Sequence, residues 1–306
     1  MSGAALGDDA DGIVDAHQHF QDLGRHRYPW LADPAAPRGL EGDLAPIRRD
    51  YLADHYRRDV AGLGVVKTVH VQNGWDPADP LGETLWLRDL VAAGHGPDAI
   101  VAFADLADPG AEALLAAHAA VPAVRGIRQI LNWHEDPALR VASRPDLMAL
   151  PEWRRGFARL ARHGLAFDLQ IYWPQMDMAL DLARAFPGTT LVLDHVGMPI
   201  DRSPDGLAAW GAALTRLAAV PNVVVKLSGF GLGHPRWRLA DTLPLLRRAL
   251  DLFGPARTLV GSNLPVDRLF AEPAAVFAAI RALAAPLSRE DRHAVLRGTA
   301  ERVYRI

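Results

Sequence analysis

Leu191-Val192-Leu193-Asp194-His195-Val196-Gly197-Met198-Pro199 opens as an apolar strand with no polar alternation and closes on Asp-His before a Gly/Pro turn. A strand that is apolar on both faces is covered on both faces, as in a parallel sheet. Working outward, seven more segments carry the same signature: Ile13–Asp15, Val65–Val71, Ile100–Ala104, Val124–Ile130, Leu165–Ile171, Val223–Leu227 and Thr258–Val260, with this one starting at Thr190. Between them lie amphipathic stretches at Asp50–Gly62, Leu81–Ala93, Ala111–Ala120, Pro151–His163, Met176–Phe186, Gly206–Ala219, Pro235–Phe253 and Pro273–Ala285. Eight βα units without a long break predict an α/β fold closed into a (β/α)8 TIM barrel. The competing doubly wound sheet needs a Gly-rich phosphate turn after a strand, and the sequence contains none.

No Gly/Ser-rich or charged linker interrupts the 306 residues, so the reading is one domain over 1–306 with residues 1–12 a flexible start. The net charge of −3 offers no basic field for nucleic acid or an anionic membrane, which points to a small-molecule substrate and leaves the oligomeric state open. There is no cysteine, which excludes disulfides, thiolate ligands and a cysteine nucleophile. The opening MSGAALGDDADG lacks a basic and then apolar leader. No apolar run approaches the ~18 residues a membrane span needs. The expected location is cytoplasmic.

The chemistry concentrates at the strands' C-terminal ends, where barrels of this kind place their sites. In Ile13-Val14-Asp15-Ala16-His17-Gln18-His19-Phe20 the two histidines are two residues apart and share a face. His195 ends another strand and is expected at the same mouth, with Asp194 turned toward the outer layer. The last strand runs Thr258-Leu259-Val260-Gly261-Ser262-Asn263-Leu264-Pro265-Val266-Asp267, with small polar residues where a site would lie. Residues 20–49 and 131–150 are long enough to act as lids.

The His-x-His strand, the later Asp-His-x-Gly strand and the final Gly-Ser-Asn-x-Pro strand resemble the amidohydrolase superfamily. The resemblance is to the amidohydrolase-2 group that contains the sugar lactonases and the pyrone-dicarboxylate lactonase. It takes in Tyr28-Pro29-Trp30-Leu31, Val124-Arg125-Gly126-Ile127-Arg128 and Val225-Lys226-Leu227-Ser228-Gly229, and spans His17 to Asp267. It implies a barrel that hydrolyses an ester or lactone, with His17, His19 and His195 as site histidines. The family's strand-8 aspartate falls on Asn263, and an amide cannot take a proton as a carboxylate can. Asp267 reaching back from the loop, or one of the imidazoles, would then be the base.

The binuclear members' strand-4 lysine and strand-5 histidine are also missing, so a two-metal site is not expected. Two arrangements fit: one divalent ion, zinc first, on His17, His19 and His195, or a metal-free site in which imidazoles or arginines polarise the carbonyl. Arg128, Gln72, Gln170, Tyr172 and Lys226 are expected to hold polar substituents of the substrate, with Tyr28 and Trp30 near them. His55, His95, His118, His163 and His293 read as surface residues. The favoured function is hydrolysis of a small polar lactone, sugar-acid or dicarboxylic, by water attack on the ring carbonyl. A metal-dependent decarboxylase of an aromatic acid and a non-catalytic binding relative are the alternatives.

Overall fold

A computed structural model of the chain describes residues 12–32 and 39–306. The expected flexible start lies outside the described residues except for Gly12, as does a stretch of the first long loop, 33–38. Eight strands form one sheet in sequence order: β1 Ile13–Gln18, β2 Val65–Val71, β3 Ala99–Phe103, β4 Val124–Ile130, β5 Ala166–Gln170, β6 Leu191–Leu193, β7 Val223–Leu227 and β8 Thr258–Val260. Each pairs in parallel with the next. The ring is joined just past β8, where Gln18 bridges Leu264. There His19 N donates to Leu264 O at 2.7 Å and Asn263 N donates to His17 O at 2.7 Å. The helices lie between strands, giving the expected (β/α)8 barrel.

Alternation sorts each strand into two layers. Ile100, Ile127, Phe167, Leu169, Leu191, Leu193, Val225 and Val260 pack outward against the helices. Val14, Ala16, Val69, Val101, Ala166, Val192, Val224 and Leu259 fill the barrel interior toward the strands' N-terminal ends. The helix Thr299–Tyr304 joins this inner cluster through Ala300, Val303 and Tyr304. That helix was not expected from the sequence, because its residues form only six positions of pattern after the break at Gly298. The expected helix Pro151–His163 divides into Pro151–Phe157 and a 3-10 turn, Leu160–His163. His118, expected on the surface, is buried: its imidazole bridges the Thr84 hydroxyl at 2.9 Å and the Phe103 carbonyl at 2.9 Å.

β1 departs from strict alternation in a way that makes the site. Its pairing with β2 shifts between Asp15 and Gln18. Ala16 packs in the barrel interior, yet its neighbour His17 also reaches inward to Lys226 and Arg128. A bulge re-aims a side chain in this manner. Behind it, Asp15 accepts from Ser262 N at 2.7 Å, Ser262 Oγ at 2.6 Å and Tyr56 Oη at 2.7 Å, which ties the end of β8 to β1.

Gly261 permits that closure. A Cβ there would stand 2.6 Å from His17 Cβ and 2.8 Å from His17 N. Gly261→Ala therefore forces β1 and β8 apart. Overpacking of this sort costs about 1–3 kcal/mol, and we expect a urea-unfolding midpoint lowered accordingly; an unchanged midpoint would show that the seam is not this tight.

Candidate active site

The three histidines meet at the C-terminal mouth of the barrel. The ring centroids of His17 and His19 lie 5.0 Å apart, and those of His17 and His195 4.6 Å apart. His195 reaches this position because the chain leaves β6 through left-handed backbone at His195, Val196 and Met198. Its Nδ1 meets Ser228 Oγ at 2.9 Å. His17 Nε2 lies 3.4 Å from Arg128 Nη1. His19 Nδ1 sits 2.6 Å from the Val71 carbonyl.

Burial keeps all three imidazoles neutral. It pushes His195 down to about 4. Burial, reinforced by the Lys226 ammonium, holds His17 well below its ordinary range, and burial with the Arg128 guanidinium does the same to His19.

Beneath the histidines lies a buried ionic group. Lys226 Nζ donates to Asp168 Oδ2 and lies 3.0 Å from Asp194 Oδ1 and 3.4 Å from His17 Nδ1. Tyr304 Oη donates to Asp168 Oδ2 at 2.9 Å from below. Burial pushes Asp168 up to about 6 against the pull of Lys226. Burial opposes ionisation of Asp194 too, but there Lys226 and His17 outweigh it and hold the carboxyl well below its usual range.

Two sequence expectations are corrected here. Asp194 does not face the outer layer: it is fully buried inside the barrel, because it follows Val192 on the inward phase of β6. Lys226 does not face substrate. Inward on β7, it is fully buried and committed to two carboxylates. The same phase, Ala166-Asp168-Gln170, would have exposed Asp168.

Asn263 occupies left-handed backbone (φ 58°). Its Nδ2 donates to Asp267 Oδ1 at 3.1 Å, while its Oδ1 lies 3.4 Å from His19 Nε2. Asp267 also accepts from Phe230 N at 3.1 Å and is fully buried. It stands behind Asn263 and holds the amide, rather than reaching past it into the mouth.

Arg128, 4 % exposed, gives Nη1 to Gln170 Oε1 at 2.8 Å and Nη2 to the Gln72 carbonyl, leaving Nε without a partner. The Gln72 side chain instead accepts from Gly74 N at 2.8 Å. Tyr172 Oη donates to Leu139 O at 2.8 Å, and Trp30 Nε1 donates to Asn73 O at 2.7 Å. Tyr28, Leu31, Tyr172, Met198, Leu232 and Val266 pack as one apolar cluster, so the long loop after β1 does fold over the mouth. A cavity beside it is lined by Glu41, Asn132, Leu139, Gln170, Tyr172 and Met198. Asn132 belongs to the strand-4 loop, 131–150, that the sequence marks as able to close over ligand, and it is Asn132 of that loop's Asn132-Trp133-His134 run that lines the cavity.

Among the described residues, His17, Asp194 and His195 form one group able to hold a metal ion, with one ligand atom from each lying within 4.8 Å of the others. The group fits a divalent ion: two imidazoles and a carboxylate are a familiar zinc donor set, and while Asp194 Oδ1 faces Lys226 at 3.0 Å, its buried Oδ2 has no hydrogen-bond partner. His19 is not a member of that group.

This barrel and mouth define a metal-capable hydrolase scaffold, and the comparisons agree. The amidohydrolase family model (Amidohydro_2) matches residues 14–306, and the chain belongs to that family. It is 39 % identical to the uncharacterized protein y4mH of Sinorhizobium fredii, covering 96 % of this chain and 98 % of that one. It is 31 % identical to the L-fucono-1,5-lactonase of Burkholderia multivorans, over 95 % of each chain. The crystal structure of a zinc-bound amidohydrolase from Burkholderia multivorans superposes with a TM-score of 0.80 at 29 % identity, covering 96 % of this chain and 99 % of that one. Among the described residues no helix is long and apolar enough to cross a membrane.

Burial pushes Asp267 up to about 7. Between its ordinary range near 4 and that value, the folded chain keeps a proton that the unfolded chain has released, so its contribution to stability falls as pH rises through the window. Asp267→Asn removes the titration. The melting temperature of the variant relative to the parent should therefore rise from pH 4 to pH 7.5. A pH-independent difference would exclude a raised Asp267.

Proposed function

We propose that this protein opens a small polar lactone by hydrolysing its ring ester. The observation that carries the reading is the convergence of His17, Asp194 and His195 at the barrel mouth beside the buried Arg128 guanidinium. A buried arginine with an unpaired Nε is suited to the negative charge that develops on a carbonyl oxygen during acyl transfer. A divalent ion on His17, Asp194 and His195, when bound, supplies Lewis-acid polarisation of that oxygen. The cavity offers Gln170, Asn132 and the Tyr172 hydroxyl to ring substituents, with Met198 and Leu139 as apolar walls. The lactonase name of a relative that is 31 % identical over nearly the whole chain supports the same reaction class.

A pH-indicator screen of sugar-acid and dicarboxylic lactones tests the reading. We expect acid release from at least one, L-fucono-1,5-lactone first. His195→Ala should lower kcat/KM by roughly 100-fold or more, the scale of losing a catalytic or polarising group, with an unchanged far-UV spectrum. If no lactone is opened, the proposal is wrong.

Ligand assignment has its own test. After dialysis, Asp194→Ala should retain less zinc than the parent, while His19→Ala retains as much. The opposite pattern would move the ion onto His19.

A further inference from the structure

Three consecutive backbone carbonyls at the end of β2 each hold one side chain of the mouth. Val71 O accepts from His19 Nδ1 at 2.6 Å, Gln72 O accepts from Arg128 Nη2, and Asn73 O accepts from Trp30 Nε1 at 2.7 Å. The three side chains come from just past β1, from β4 and from the first long loop, so residues 71–73 set their mutual placement.

Both ends of that short segment are pinned by one oxygen. Val69 and Val71 face the barrel interior, so alternation turns His70 outward, toward the helix Gly82–Ala92. There His70 Nδ1 accepts from Phe20 N at 3.0 Å; a backbone amide can only donate, so Nδ1 carries no hydrogen and the ring N–H is at Nε2. Nε2 donates to Glu83 Oε1 at 3.2 Å, and the same Oε1 accepts from Asn73 N at 2.9 Å. Glu83 and His70 are buried, so losing the acceptor would strand two N–H groups away from bulk water, a cost that the segment escapes only by shifting. The network also fastens the first long loop: Asn73 Nδ2 donates to Gln21 Oε1 at 2.9 Å, and Gln21 Nε2 donates to Ile47 O and Arg49 O, each at 2.7 Å.

We infer that Glu83, on a helix outside the sheet, is the positioning residue of the mouth: one carboxylate oxygen holds His70 and the Asn73 amide, and through them sets the three carbonyls that orient His19, Arg128 and Trp30. What that orientation accomplishes rests on the hydrolase reading; the orientation itself rests on the hydrogen bonds. Glu83 touches no reacting atom. It supplies reach, since both bonds fall on Oε1 and an amide oxygen in the same place can accept both.

Reach and charge give opposite orders for two conservative variants. Glu83→Gln keeps the oxygen and loses the charge, whereas Glu83→Asp keeps the charge and withdraws the oxygen by one methylene. On the lactone that the parent opens, we expect kcat of E83Q within about threefold of the parent and kcat of E83D lower by roughly tenfold or more, because displacing a reacting group by about 1 Å costs up to about 100-fold. An E83Q impaired by roughly tenfold, or an E83D equal to the parent, would overturn the assignment.

Spectra read the orientation without turnover. In 15N-histidine-labelled protein, His70 should be protonated at Nε2 and bare at Nδ1. The His19 Nδ1–H resonance should lie far downfield and exchange slowly in the parent and in E83Q, and should be shifted or exchange-broadened in E83D; a Glu83 that merely packs its helix would leave that resonance in place. A His70 protonated at Nδ1 in the parent, or a His19 signal unchanged in E83D, would end the inference. If the parent opens no lactone while these spectra hold, the hydrolase reading fails and the positioning role of Glu83 stands.

Discussion

The site depends on one buried cation. Lys226 stands among Asp168, Asp194 and His17 with no exposed surface. Removing one partner of such a group leaves an uncompensated charge at a cost of about 3–5 kcal/mol. Asp194 stays ionised because Lys226 is there, and an ionised Asp194 is what gives the mouth a hard anionic ligand next to two neutral imidazoles. With Arg128, the interior holds two cations and two carboxylates, and this near balance lets a polar layer sit directly on the apolar cluster of Val14, Val192 and Val224.

Much of this was legible in the sequence because strand phase carries it. The eight apolar runs gave the barrel nearly residue by residue, and the placing of His17, His19 and His195 at one mouth followed from their positions at strand ends. The same phase argument, carried one step further, would have turned Asp194, Asp168 and Lys226 inward. An interior accepts these charges because cations and anions arrive there together from neighbouring strands. The bulge in β1 was not legible, since two consecutive inward residues violate the pattern used to read everything else. Nor was the role of Asp267. The left-handed backbone at Asn263, a conformation asparagine adopts more readily than most residues, sets Asp267 behind the amide instead of beside it, and residue type alone does not give that direction.

The long loops contributed least to the sequence reading and most to enclosure. Tyr28 and Leu31 from the first, with Leu139 from the fourth, meet Tyr172 and Met198 over the cavity. Their length and their place after strands indicated lids, while their contacts are set by tertiary packing. The rim's hydrogen bonds run largely to backbone: Trp30 to Asn73, Tyr172 to Leu139, Arg128 to Gln72. Side chains on the rim can therefore change shape or polarity while the frame that holds them keeps its own connections.

Tyr304 carries a consequence for assembly. Its phenol, from the helix Thr299–Tyr304, is the cap on Asp168, and its ring lies 5.5 Å from the Lys226 ammonium. All eight strands precede that phenol in the sequence. Without residues 299–304 the Asp168 carboxylate lacks this cap. The reactive mouth at one end is thus braced from the other, by a helix that follows β8 and not by the strands alone.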